Sequence, residues 1–262
     1  LDLILRLTTT PYRDSIAYLN PSYGMYSVLA KINALETKAI CLDPAFRINA
    51  FQLLEESKGA KVLIICNPNN PTGNVIRKEE LLEITRKFKG VLVIDEAYVD
   101  FCPEFSMAGE VANFPNLIVV QTLSKAYGMA GLRIGMGIAS EDWVQALNRI
   151  KPPYHLSSLV QEKAISLLKS TDWKELKSSV IAERKKMEEE LKSLPFVQEI
   201  FPSEANFLLF RVENADKIYR ELIEKGVVVR NRSAHYNCEN TLRVSIGNPE
   251  ENQRFIEIMN EL

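Results

Sequence analysis

Four short apolar runs mark the first half of the chain: SIAYL (15–19), KVLIIC (61–66), GVLVID (90–95) and LIVVQ (117–121). Each is bounded by turn residues and too short for a buried helix, so each predicts a strand. Between and after them, apolar positions recur at helical spacing over 24–34, 78–89 and 141–150. Strands alternating with helices predict a mainly parallel sheet covered by helices, an α/β fold. The opening LDLILRL already carries a helix-like pattern, with no initiator Met and no polar lead.

The pattern changes from about residue 155. A long charged helix near 173–193 is followed by the strand NFLLFRV, a helix over 214–225, short strands at VVVR and TLRVSI, and a last helix from Pro249. The paired prolines of KPPYHLSS break the preceding helix. The expected division is a larger α/β domain over 1–152 and a smaller α+β domain over 153–262.

Composition narrows the partners. A net charge of -2 leaves no excess that would draw nucleic acid or an anionic membrane. No apolar run approaches the roughly 18 residues of a membrane span, and no basic leader with a cleavage site opens the chain. Four scattered cysteines without a CxxC pair, and two histidines far apart, predict a soluble, cytoplasmic chain with no metal site. A small molecule or another protein is the expected partner.

Chemistry concentrates where the predicted strands end. KVLIIC runs into NPNNPTGN, GVLVID into EAYVDF, and LIVVQ into TLSKAYG. Open α/β sheets bind ligands at these ends, so the three segments predict one crevice holding Asn70, Asp95, Tyr98, Thr122, Ser124 and Lys125, with Arg133 eight residues beyond the lysine. Taken singly, NPTG is a turn, Asp95 a helix cap and Lys125 a solvated surface cation. Together they suit another reading. A lysine drawn out of water becomes useful by condensing with an aldehyde. A carboxylate keeps a pyridine nitrogen protonated and the ring an electron sink. Hydroxyls, a guanidinium and free N–H groups receive a phosphate dianion.

PSYGMY, NPNNPTG, DEAYVDF, TLSKAYGMAGLRIG and LRVSIGNPEEN follow one another along nearly the whole chain. In this order and spacing they resemble the fold-type I, pyridoxal-phosphate-dependent aminotransferases, and among them the histidinol-phosphate branch. The lysine motif and NPTG carry the superfamily; PSYGMY and the C-terminal block point to the branch. The resemblance implies pyridoxal 5'-phosphate as cofactor, with Lys125 as the residue that joins it covalently and shuttles the substrate proton. It implies Asp95 on the pyridine nitrogen, Asn70 and Tyr98 on the ring oxygen, Tyr23 stacked on the ring, and Thr122, Ser124 and Arg133 on the phosphate. Arg243 of LRVSIG is implied as the clamp for the substrate's anion, serving the phosphate of histidinol phosphate and the carboxylate of 2-oxoglutarate or glutamate in turn. A homodimer with its site at the subunit interface is implied too.

Family members carry a further N-terminal segment, with an extended arm and a Gly-x-Asp-Glu turn, that this sequence does not contain; the expectation is either that further residues precede Leu1 in the native protein, or that a site lacking those contacts holds its cofactor weakly and turns over poorly. An aromatic aminotransferase, a threonine-phosphate decarboxylase relative and a non-catalytic binding module stay open on the motifs alone. Tyr26 reads as a core aromatic, Arg230 and Arg232 as solvated, and His155 and His235 as ordinary polar residues.

Overall fold

The structure, a computed structural model, describes residues 1–262. Its first sheet comprises β1 (Ser15–Asn20), β2 (Glu36–Cys41), β3 (Val62–Cys66), β4 (Val91–Asp95), β5 (Leu117–Thr122) and β6 (Gly135–Ile138). Their order is β2-β1-β3-β4-β5-β6. The first five are parallel and β6 runs antiparallel beside β5.

Every residue of β3 and β4 is buried, as strands covered on both faces require. Successive side chains alternate between two apolar clusters. Leu63, Ile65, Leu92 and Ile94 join the cluster supplied by α3 (Ala50–Glu56) and α4 (Lys78–Lys87). Val62, Ile64, Val91 and Val93 join Ile4 and Leu5 of α1 (Asp2–Thr8) and Tyr26 and Ala30 of α2 (Met25–Ile32). In α4 the acidic Glu79 and Glu80 open the helix and Arg86 and Lys87 close it, which complements its dipole, while Leu81 and Ile84 form its buried stripe.

Three helices lead onward: α5 (Glu141–Ile150), α6 (Ser158–Ser170) and α7 (Trp173–Lys192). Side chains of Ser157 and Asp172 cap the last two. A second sheet follows, in the order β7 (Val197–Ile200), β8 (Phe207–Val212), β10 (Thr241–Ser245), β9 (Arg230–Asn231), with every pair antiparallel. Helices α7, α8 (Ala215–Glu224) and α9 (Pro249–Asn260) cover one face, where Met187, Leu222 and Phe255 meet Leu208, Phe210 and Leu242. Asn248 and Glu251 form a reciprocal capping box that starts α9 at Pro249.

The other face of β8 is buried as well. Phe207 packs with Tyr98 and Phe101, and Leu209, Phe201 and Cys238 join the α3/α4 cluster of the first sheet. This packing brings β10 up to the carboxyl ends of β3 and β4.

The elements depart from expectation in places. Helix α2 ends at Ile32 and α4 at Lys87, short of 34 and 89. In VVVR only Arg230 is strand. Its valines end α8 instead: Gly226, at φ 82, donates to the Ile223 carbonyl, and the Val227 amide donates to Leu222, a Schellman turn whose apolar residues mimic a strand pattern. Strands β2, β6 and β7 have no counterpart in the predicted elements.

Candidate functional site

Register aligns the predicted strand ends. Cys66 pairs with Asp95, and Asp95 with Val120, so β3, β4 and β5 release their loops side by side. The loops open on a cavity of about 670 Å³ lined by Tyr23, Asn70, Asp95, Tyr98, Thr122, Ser124, Lys125, Arg133 and Arg243. All nine candidates from the sequence therefore share one space.

Local contacts explain the arrangement. Asn69 donates through its amide to the Pro21 carbonyl (2.9 Å) and accepts from the Ser22 hydroxyl (2.7 Å), stitching PSYGMY to NPNNPTG. Gly73 turns the latter loop at φ 81, and a Cβ there would strike Ser203. Glu96, fully buried, accepts from Ser106 and Gln121 (both 2.8 Å) and holds the loop after β4. Tyr98 is fixed edge-on to Phe207, with ring centroids 5.2 Å apart.

Asp95 lies on the floor, 6% exposed. The hydroxyl of Tyr26 donates to its Oδ2 at 2.8 Å and the Ala97 amide to its Oδ1 at 3.2 Å. Burial pushes the carboxyl above its ordinary value; the Tyr26 hydroxyl and then the Ala97 amide pull it back. Asp95 forms no ion pair with any side chain of this chain, which leaves the preference of a buried anion for a cationic partner unmet.

Lys125 follows β5 in a tight turn, with its ammonium 5.3 Å from the centre of the Tyr98 ring. Its side chain opens to the cavity; it is not enclosed in packed core as a buried lysine would be. Desolvation at the cavity wall, and next the charge of Arg243, still push its ammonium below the usual range. Thr122 Oγ1 lies 2.9 Å from both Ser124 Oγ and the Ile134 carbonyl, and Arg133 donates to the Ala130 carbonyl at 3.0 Å. Arg133 adopts left-handed backbone, φ 57 and ψ 39, an uncommon state for a residue with a side chain and one that collects at functional sites.

The second sheet supplies the opposite wall. Arg243 donates to Asn70 Oδ1 at 2.6 Å across 173 residues of chain, and its guanidinium stacks 4.9 Å from the centre of the Phe207 ring. Arg230 pairs directly opposite Arg243 in the ladder, and Arg232 and His235 line the same cavity. None of these arginines has a carboxylate within ion-pair distance, and the buried Nε atoms of Arg232 and Arg243 have no partner. Like charges opposed across a ladder destabilise it, so the wall carries positive charge that nothing in the chain compensates.

Two expectations change. Arg230 and Arg232 border the cavity and are not merely solvated. Tyr26 is core, at 0% exposed, and is also the hydrogen-bond partner of Asp95. Its spacing of three from Tyr23, at the start of a helix, was the available signal. A second concavity of about 540 Å³, lined by Lys58, Lys61, Lys87 and Lys89 near the opposite strand ends, contains none of this chemistry.

The donor set suits pyridoxal phosphate: a buried carboxylate without a cation, an amine open to the same space, and paired hydroxyls near a guanidinium. Comparison with known proteins agrees. The family described as "Aminotransferase class I and II" matches residues 1–259. A histidinol-phosphate aminotransferase of Flavobacterium psychrophilum is 46% identical over 263 residues, covering 100% of this chain and 76% of its own length. The crystal structure of the histidinol-phosphate aminotransferase from Clostridium acetobutylicum superposes with a TM-score of 0.90 at 27% identity, covering 100% of this chain and 82% of that one. A histidinol-phosphate aminotransferase from Sinorhizobium meliloti, solved with pyridoxal-5'-phosphate, shares the fold with a TM-score of 0.88 at 21% identity, covering 99% and 74%. On the extent of these matches, the chain belongs to the class I and II aminotransferase family.

Proposed function

We propose that the chain is a pyridoxal-phosphate-dependent transaminase that moves an amino group between L-histidinol phosphate and 2-oxoglutarate, a step of histidine biosynthesis. One observation carries the reading: three strand ends bring a buried carboxylate and a lysine into one cavity whose far wall is an unpaired arginine set. The relatives' names, histidinol-phosphate aminotransferase, support the phosphate-bearing substrate.

When bound, the cofactor supplies an aldehyde and an electron-withdrawing ring that accepts the electron pair left on the substrate carbon. Lys125 Nζ takes the proton from the amine-bearing carbon and returns it on the other side of the reaction. Its lowered ammonium pKa keeps more of the amine neutral for that work. Asp95 would hold the positive charge of the ring nitrogen, and Tyr26 orients that carboxylate. Asn70 and Tyr98 would hold the ring oxygen, Tyr23 would cover one ring face, and Thr122, Ser124 and Arg133 would hold the cofactor phosphate. Arg243 binds the substrate phosphate in one half-reaction and a carboxylate in the other, since a guanidinium fits both.

The residues that hold the cofactor lie within 1–152 and the substrate clamp within 153–262, a division supported by the two separate sheets. No helix is long and apolar enough to cross a membrane; a cytoplasmic homodimer completes the proposal.

The test is an assay of the cofactor-loaded chain with L-histidinol phosphate, phenylalanine and threonine phosphate, reading keto product and carbon dioxide separately. Preferred turnover of L-histidinol phosphate with 2-oxoglutarate, without carbon dioxide, is expected. Preference for phenylalanine, or carbon dioxide from threonine phosphate, overturns the substrate assignment.

A further inference from the structure

His235 is the one titratable group at the arginine end that can change charge near neutral pH. Its backbone amide donates to the Arg232 carbonyl at 2.9 Å, closing a turn, and its Nε2 lies 3.4 Å from Arg232 Nη1. A guanidinium only donates hydrogen bonds, so this contact is a hydrogen bond only in the neutral ring with its proton on Nδ1 and Nε2 as acceptor. Arg232 and Arg243 face the imidazole, and Arg230 acts on both of them. Tyr98 and Cys238 complete the arginines' surroundings, and burial keeps both in their neutral forms. No carboxylate faces the ring. Burial first, then the two guanidinium charges, hold the imidazolium below its ordinary range.

An entering dianion inverts this balance, because it neutralises the guanidiniums and adds negative charge beside the ring. We propose that His235 takes a proton from solvent when a phosphate monoester occupies the arginine end, turning Nε2 from an acceptor for Arg232 into a donor toward the anion. Arg232 is then released from the imidazole and turns its own donors to the same anion. A carboxylate brings half the charge and draws the proton less. His235 therefore makes the cavity distinguish its two anionic partners by proton uptake, although one clamp serves both. This inference rests on the phosphate-bearing substrate proposed above.

The chain has only two histidines, so ring nitrogen resonances report His235 directly, and a His155→Gln variant assigns them. The cofactor-loaded protein is titrated at pH 7 with phenyl phosphate, which has no amine to react, and with glutarate as the carboxylate control. Phenyl phosphate is expected to move the His235 nitrogens toward their imidazolium positions, and glutarate by less than half as much. In His235→Asn the side-chain oxygen still accepts from Arg232 but cannot titrate. There the KM for L-histidinol phosphate is expected to rise about tenfold, the loss of one hydrogen bond to a charged group, and to depend less steeply on pH between 6 and 8 than in the parent, while the KM for 2-oxoglutarate stays within about twofold. Saturable phenyl phosphate binding with the ring still neutral overturns the inference and leaves the transaminase reading intact. Failure of both phenyl phosphate and L-histidinol phosphate to bind overturns both.

Discussion

Asp95 has a hydrogen bond from Tyr26 at 2.8 Å, another from Ala97, and an apolar strand behind it. Across the cavity, Arg243 faces Arg230 in the ladder and leaves its buried Nε without a partner. The first wall holds one anion in a fixed pose and lacks only a cation. The second gathers cations that repel one another and lacks an anion. A ligand that stays belongs on the first wall, where fixed dipoles stabilise one charge distribution. Ligands that alternate suit the second, whose guanidiniums have no carboxylate partner and keep two buried Nε donors free. A hydrogen bond from Arg243 to Asn70 joins the two walls, beside the edge-on contact of Tyr98 with Phe207.

The sharpest way to break this contrast is Lys125→Ala. Loss of the proton carrier alone is expected to lower turnover by about 10²–10⁴-fold, and borohydride should no longer fix the cofactor to the chain. A reducible linkage in the variant would move the attachment to another residue. Arg243→Ala tests the opposite wall. Truncating one partner of a desolvated charge pair costs about 2–5 kcal/mol, and both L-histidinol phosphate and 2-oxoglutarate should lose kcat/KM together. If only one suffers, the wall contains two clamps.

Tyr26→Phe is a milder probe of the first wall. A hydrogen bond to a charged group contributes about 1.5–3 kcal/mol, so turnover should fall by roughly tenfold or more while the fold is retained, as circular dichroism would check. Unchanged turnover would reduce Tyr26 to core packing. The smallest effect is on stability. Burial raises Asp95 in the folded state above its ordinary value of 3.8, so the folded form holds the extra proton between the two values. Its contribution to stability is present in full at low pH and is lost as pH climbs from that value through the folded one. At pH 7, cofactor-free Asp95→Asn should therefore melt higher than the cofactor-free parent, with about 2–4 °C expected per kcal/mol gained. The gap should close as pH falls toward 4. A lower melting point at pH 7 would mean that Asp95 already has a compensating partner.

What the sequence made legible follows the same division. β3 and β4 were readable because burial on both faces requires an unbroken apolar run. Their loops carry chemistry in contiguous motifs, so the first-wall candidates could be named in order. β2 exposes Glu36, Thr37 and Ala39 at a sheet edge, and an edge strand of that kind has no such signature. Arg230 and Arg232 lie near Arg243 in sequence but belong to no recognisable motif, and only strand pairing, which sets Arg230 opposite Arg243, shows that this end of the sheet borders the cavity. The Tyr26 hydroxyl reaches Asp95 over 69 residues; an aromatic ring facing the core looks the same in sequence whether or not its hydroxyl has work there. Apolar residues that end a helix can also imitate a strand, as Val227 does beside Gly226.

Phe201, Leu209 and Cys238 complete the α3/α4 apolar cluster although the other buried members all lie between Ala17 and Val119. During synthesis the earlier part emerges first, so its sheet stands with one end of the cluster open to water until nearly the whole chain has followed. Strands β3, β4 and β5, which end at the cavity, have by then been made, yet the packing that seals the cluster has not. The cluster's longest-range contacts are thus available last, and its apolar surface is one that chaperones would meet while translation is still under way.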